Sequence, residues 1–232
     1  MAINIDTVYQ RVLSILNKEQ RGYLTPQKFN LYANQVQLEI LDTYFYDLEY
    51  FLNLPGNSTV HADMVDILQT KIAKFEDSDA VTYVSPNFIL PANCYRISTV
   101  LYSDIECQQV ARKTFRYIMQ SELAKPTATT PIYTENKTGI RIFGAATLTD
   151  SDLADIEVDF IKQPATAEWA YTSVLGEALY NAGNSTNFEL DPSEEPTVVI
   201  KILKLAGLEV KDLTVYEAAN SSELTEKQIE KQ

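Results

Sequence analysis

The sequence predicts an α+β fold: a helical bundle with an inserted small antiparallel β-domain and an extended C-terminal arm. Three observations predict it. Apolar residues recur at helical spacing up to about residue 78 and again after about residue 164. Between these stretches lie short runs rich in β-branched and aromatic residues, broken by Pro, Asn and Gly. The last residues, NSSELTEKQIEKQ, are polar and have little to bury. The implied organisation is a bundle over 1–78 and 164–208, a β-rich insert over 79–163, and a docking arm over 209–232. With 232 residues, 45% of them hydrophobic, the chain can fill one large core or two small ones.

The first helix is expected over 5–18. Asp6 is placed to cap it, Ile5, Tyr9, Val12, Leu13 and Leu16 form its inner stripe, and Gly22 suits a left-handed C-cap. Thr25-Pro26 opens a second helix, with Thr25 as N-cap and Pro26 in the first turn. It should run to about Leu52, a length of roughly 40 Å. Two apolar rows run along it: Leu38, Leu41, Phe45, Leu48 and Leu52 on one side, Phe29, Val36, Ile40 and Tyr44 on the other. So wide an arc implies more than one packing partner. The row Phe29, Val36, Ile40 and Tyr44 is therefore the candidate for contact with a neighbouring subunit. A third helix is expected from His61 to Phe75.

Strand signals follow at 81–84, 88–90, 95–102 and 105–110, with Pro86, Pro91 and Asn93 between them. A short helix is expected over 111–123 and a loop over 125–131. Ile132-Tyr-Thr and Ile140-Arg-Ile-Phe flank a Glu-Asn-Lys-Thr-Gly stretch, which signals a hairpin. From Ile156 to Ile161 apolar and acidic residues alternate, as in a strand with one buried and one wet face. Helical patterning returns over 168–182, and a last helix is expected from Ser193 to Gly207.

Formal net charge is −13, and nearly all of it sits in residues 146–195, which hold eleven acids and the single base Lys162. Such a surface repels nucleic-acid phosphate. Asp150, Asp152, Asp155, Glu157 and Asp159 lie closest together. They lack the order and central Gly of an EF-hand loop, so a solvated acidic edge outweighs a loose Ca²⁺ or Mg²⁺ site. Arg112, Lys113 and Arg116 form a small basic cluster, a solvated face that could also touch DNA or an acidic neighbour.

Parts for catalysis are scarce. One histidine, His61, gives no base for a Ser-His-Asp or Cys-His set. Cys94 and Cys107 match no metal or redox spacing. Neither a Walker loop nor G-x-G-x-x-G occurs. The expectation is a non-enzyme with no cofactor and no metal. MAINIDTVYQRVLSIL lacks the layout of a signal peptide, and no run of about 18 apolar residues offers a membrane span.

Four phrases together carry a family likeness: Lys18 to Leu48, Phe88 to Tyr102, Pro126 to Tyr133 with the hairpin after it, and Phe188 to Asp212. The combination resembles virion structural proteins of short-tailed bacteriophages, especially marine and crAss-like phages. There such proteins are similar to the ring or adaptor proteins stacked below the portal at the head–tail junction. The resemblance spans about residues 5–212. It implies a homo-oligomeric ring, a dodecamer, around the DNA channel, with portal protein and adjacent tail or ring proteins as partners. DNA would pass without specific binding, and the location would be the virion neck or tail.

On this expectation the arm after Gly207 docks on a partner through Tyr216, Leu224 and Ile229. The acidic residues Asp150, Asp152, Asp155, Glu157 and Asp159 form a surface near the channel. The rivals are another virion protein of tail or capsid, an acidic intracellular protein-binding module, and a metal-dependent enzyme built on the acidic cluster.

Overall fold

The computed structural model describes residues 2–17, 24–53, 59–144, 147–175, 177–210, 220–222 and 224–225. In chain order come α1 Ile5–Asn17, α2 Pro26–Leu52 and α3 Thr59–Ile72. Strands β1 Glu76–Ala80, β2 Thr82–Val84, β3 Asn87–Ile89, β4 Cys94–Tyr102, β5 Ile105–Glu106 and β6 Gln108–Gln109 follow. Next are α4 Arg112–Gln120, β7 Ile132–Asn136, β8 Gly139–Phe143 and β9 Ile156–Lys162. The series ends with β10 Tyr171–Val174, β11 Glu177–Tyr180 and α5 Glu195–Val210. The α+β class is the one the sequence predicts. The chain divides into two compact units: Met1–Ile72 with Pro164–Gln232, and Ala73–Gln163 between them.

The first unit contains α1, α2, α3, α5 and the β10–β11 hairpin. Thr25 caps α2 as expected, its side chain accepting from the Lys28 N–H at 3.4 Å, with Pro26 in the first turn. The apolar stripe of α1 (Ile5, Val8, Val12, Leu16) is buried, as are Val198, Val199, Ile202 and Leu203 of α5. Helix α5 packs on α1 and α2, and α3 packs on α2. Ion pairs join the same elements. Arg11 of α1 meets Glu195 at 2.8 Å, and Lys201 of α5 meets Glu39 of α2 at 2.6 Å. Lys71 of α3 meets Glu194, in the turn before α5, at 2.6 Å.

A row of side-chain amides on α2 holds the extended segment 165–169. Asn30 accepts from the Trp169 N–H at 2.9 Å and donates to its carbonyl at 3.3 Å. Asn34 does the same for Ala167, at 2.8 and 2.9 Å. Gln37 donates to the Ala165 carbonyl at 2.8 Å and accepts from the Glu189 N–H at 3.3 Å. Residues three or four apart on a helix advance about 4.5 or 6 Å. Alternate residues of an extended chain advance about 6.6 Å. The two repeats match closely enough for each amide to meet every second peptide.

The β10–β11 hairpin stands where the sequence predicts a helix over 168–182. Tyr171 pairs directly with Tyr180, and both rings stack on buried Trp169, at 6.0 and 5.6 Å between centroids. Trp169 also lies 4.3 Å from the Tyr9 ring and donates its indole N–H to Asp6 at 2.9 Å. Three rings around Trp169 reward a hairpin that a helix would pull apart. The β-branched Thr172 and Val174 fit the strand.

The second unit is two sheets facing each other. One has the order β1-β9-β4-β5, the other β2-β3-β8-β7-β6. Their shared core holds Val100, Ile156, Val158 and Phe160 from the first sheet, and Phe88, Tyr133, Ile140 and Ile142 from the second. The chain passes from β1 to β2 and from β5 to β6 with one intervening residue each, the buried Val81 and Cys107. Each such step changes sheet, so the sandwich has corners at both ends. A two-residue turn joins β4 to β5, with Ser103 and Asp104 at φ 49° and 64°. The expected hairpin of β7 and β8 forms, Ile132 opposite Phe143 and Asn136 opposite Gly139.

Helix α4 lies on the outer face of the second sheet. Its Phe115 and Ile118 pack against Val110, Ile132 and Phe143, with the Phe115 and Phe143 rings 4.5 Å apart. Strand β1 pairs with β9, with Glu76 opposite Ile161 and Ala80 opposite Glu157, so the unit begins and ends on adjacent strands.

Candidate interaction surfaces

The row of α2 expected to meet a neighbouring subunit faces inward, and the other row is mixed, with Leu41 buried and Leu52 exposed. Phe29, Val36, Ile40 and Tyr44, expected to meet a neighbouring subunit, are all buried in the unit's own core. Phe29 meets the Tyr9 ring of α1 at 4.8 Å and Lys71 of α3 lies over the Tyr44 ring at 5.4 Å, partners invisible in the helix alone. Solvent is met instead by Leu31 (70% exposed), Tyr46 (74%) and Leu52 (61%). Leu38, Phe45 and Leu48 are half-buried beside them.

A second apolar surface is the β10–β11 hairpin. Tyr171, Val174 and Leu179 are exposed, and Leu175 at the tip is fully so. Leu175 also holds φ 54°, a left-handed conformation that costs a non-glycine residue about 1 kcal/mol. The β-branched Thr172 and Val174 ahead of Leu-Gly are the only local sign of a hairpin, and the surrounding Ala and Leu residues favour the helix expected over 168–182.

The acidic residues sort differently from their order in the chain. The stretch 146–195 divides at Pro164 between the two units. In the first unit Glu194 and Glu195 are ion-paired, Glu189 accepts from the Ala165 N–H at 2.9 Å, and Asp191 caps the turn before α5. In the second unit the Asp152 carboxylate accepts from the Thr149 N–H at 2.9 Å and closes a capping box, so its role is local. The side chains of Asp150 and His61 lie outside the described residues.

Asp155, Glu157 and Asp159 remain on the surface, and strands distant in sequence enlarge the patch. Ser78 and Ala80 of β1 stand opposite Asp159 and Glu157, and Ser78 donates to Glu157 at 2.8 Å. At the same sheet edge β1 exposes Glu76, Asp77 and Asp79, the latter two opposite Phe160 and Val158, and the β4–β5 turn brings Asp104. Asp79, Asp104, Asp155 and Glu157 line one open groove of about 440 Å³, and none of the described residues lining it is basic. Glu-Asp-Ser-Asp-Ala carries no strand signal of its own. It is a strand because β9 offers backbone partners, and its carboxylates keep that sheet edge soluble. Among the described residues no three His, Cys, Asp or Glu side chains converge to hold a metal ion.

In the C-terminal region Leu224 is exposed, whereas Tyr216 and Ile229 lie outside the described residues. The two thiols are held protonated. Burial, then the Glu106 carboxylate, pushes Cys107 up from 9.0 to about 11. Burial, then Glu135, raises Cys94 as well. A protonated thiol is a poor nucleophile. Among the described residues no helix is long and apolar enough to cross a membrane. The chain matches no known family model and no curated protein.

Proposed function

We propose that this chain is a structural subunit of a tailed-bacteriophage particle, a ring or adaptor protein between portal and tail. The observation that carries the proposal is the hairpin tip, where an apolar side chain stands fully exposed on a strained backbone. Exposed apolar patches on a folded surface mark contacts with other macromolecules. Backbone strain is kept where the surroundings or a partner repay it. Leu31, Tyr46 and Leu52 on α2 add apolar area to the same unit. The four-phrase resemblance supplies the class of assembly, with the portal and further copies of the chain as partners.

The test is native mass spectrometry of the purified chain, alone and with portal protein. The expected result is a closed oligomer or a portal-bound ring. Leu175→Gly should relieve the strain, raise the melting temperature slightly and weaken assembly. A chain that stays monomeric and ignores portal would overturn the proposal.

One observation favours a second proposal, an acidic protein-binding module: the groove lined by Asp79, Asp104, Asp155 and Glu157. Capture of a basic DNA-binding protein, lost on Asp155→Lys with Glu157→Lys, would favour the module over the connector.

A further inference from the structure

The second unit has two outer faces of opposite charge. The side chains of β9 alternate: Ile156, Val158 and Phe160 enter the core, while Glu157 and Asp159 point out from the first sheet. Their neighbours on that face are Ala80 and Ser78 of β1, and Leu101 and Thr99 of β4. Asp155 and Asp104 extend the acidic surface at one end. Helix α4 covers the outer face of the other sheet, and its solvent side carries Arg112, Lys113 and Arg116 with Tyr117. Because the shared core lies between the sheets, the two charged surfaces look away from each other.

Helix α4 is poorly served by its own chain. Arg112 and Lys113 are its first two residues, where the helix dipole favours anions, and no acid lies in that turn. Ala111, at the N-cap, has no side chain to bond the free N–H groups. Arg112 and Arg116 stand one turn apart and repel each other. Among the described residues none forms an ion pair with Arg112, Lys113 or Arg116, and none does so with Asp155, Glu157 or Asp159. A nearby anionic surface would answer all three deficits of the helix at once, and the opposite face of this same unit is such a surface.

We infer that the second unit makes a head-to-tail contact with a second copy of this chain, α4 of one copy seating on the Glu157 and Asp159 face of the next. The inference rests on the self-assembly proposed above and specifies which surfaces meet. The dimensions agree: nine helical residues span about 14 Å, and four strands span about 14–19 Å between their outer edges. A contact between two different faces is heterologous, and it closes into a ring when its rotation closes. With a net charge of −13, copies repel at long range. The basic helix gives a favourable approach toward the acidic face, and so gives the stacking a direction.

Two full-length variants test this. The first carries Arg112→Glu, Lys113→Glu and Arg116→Glu; the second carries Asp155→Lys and Glu157→Lys. Self-association is measured by sedimentation velocity at about 0.1 M and about 1 M salt, between which the screening length falls from about 10 Å to about 3 Å. The expected result is a loss on the order of tenfold or more for each variant alone at low salt. Mixing the two should restore association, because each then offers the face the other has reversed. Wild-type association should weaken at high salt.

If a reversed variant loses its circular-dichroism melt, Gln at the same three basic positions carries the test. Reduced salt dependence supports the contact, and unchanged salt dependence overturns it. Association of both reversed variants at wild-type strength would overturn the contact while leaving self-assembly intact. A wild-type chain that is monomeric at both salts, with portal present, would overturn both. A short DNA duplex bound through α4, and lost in the first variant with association unchanged, would assign that helix to nucleic acid instead.

Discussion

Gly139 shows how one atom decides a sheet. It sits at φ 146°, and an added Cβ would run into the Phe88 carbonyl where β3 crosses β8. Gly139→Ala should cost about 1–3 kcal/mol for the conformation alone. In a unit of this size each kcal/mol lowers the melting temperature by about 4–8 °C, which calorimetry reads directly. The sequence marks this glycine as a turn residue, but not the strand that presses on it. Cys107 is the second residue with a clear signature. Its pKa is raised on folding, so its contribution to stability is complete below about pH 9 and is lost as pH rises through about 11. Melting temperatures at about pH 8 and about pH 10.5 should differ less in Cys107→Ala than in the wild type. An equal difference would mean that the thiol has no such role.

Among the elements, those with strong local signals were legible. Thr25-Pro26 fixed the start of α2, and alternation along Ile156 to Ile161 fixed β9, because each signal resides in adjacent residues. The hairpin at Tyr171–Tyr180 was not legible, since what favours it is Trp169 packed beside Tyr9 from another helix. Nothing in the sequence singled out Asn30, Asn34 and Gln37, since their partners lie about 130 to 150 positions away. Their actual role is to substitute for a neighbouring strand. Asn34→Ala would strip both partners from Ala167, itself fully buried, and should destabilise the first unit by about 2 kcal/mol. Asn34→Asp keeps the acceptor but sets a carboxylate against the Ala167 carbonyl, so it should rescue little. Equal stability of all three proteins in urea would show that the ladder is dispensable.

At the scale of the whole molecule, the α+β class followed from the change in hydrophobic period along the chain. The placement of charge did not. One acidic run in sequence is divided by the cut at Pro164: Glu194 and Glu195 are ion-paired in the first unit, while Asp155, Glu157 and Asp159 form an open patch in the second. The basic residues of α4 were visible as a cluster, but their position opposite the acidic face depends on sheet order. Residues 73–163 carry their own core, so expressed alone they should give a single cooperative melt. Loss of near-ultraviolet dichroism in that fragment would show that it depends on the rest of the chain. Strands β1 and β9 are antiparallel neighbours, with Glu76 beside Ile161 at the end where the chain enters and leaves. Tension along the polypeptide would therefore load the rungs at that end first, Glu76 beside Ile161 and the 2.7 Å bond from the Gln163 N–H to the Asn93 carbonyl. The pair would unzip bond by bond instead of resisting in shear, making the insert a mechanically soft link that yields at low force and re-forms when the load is removed.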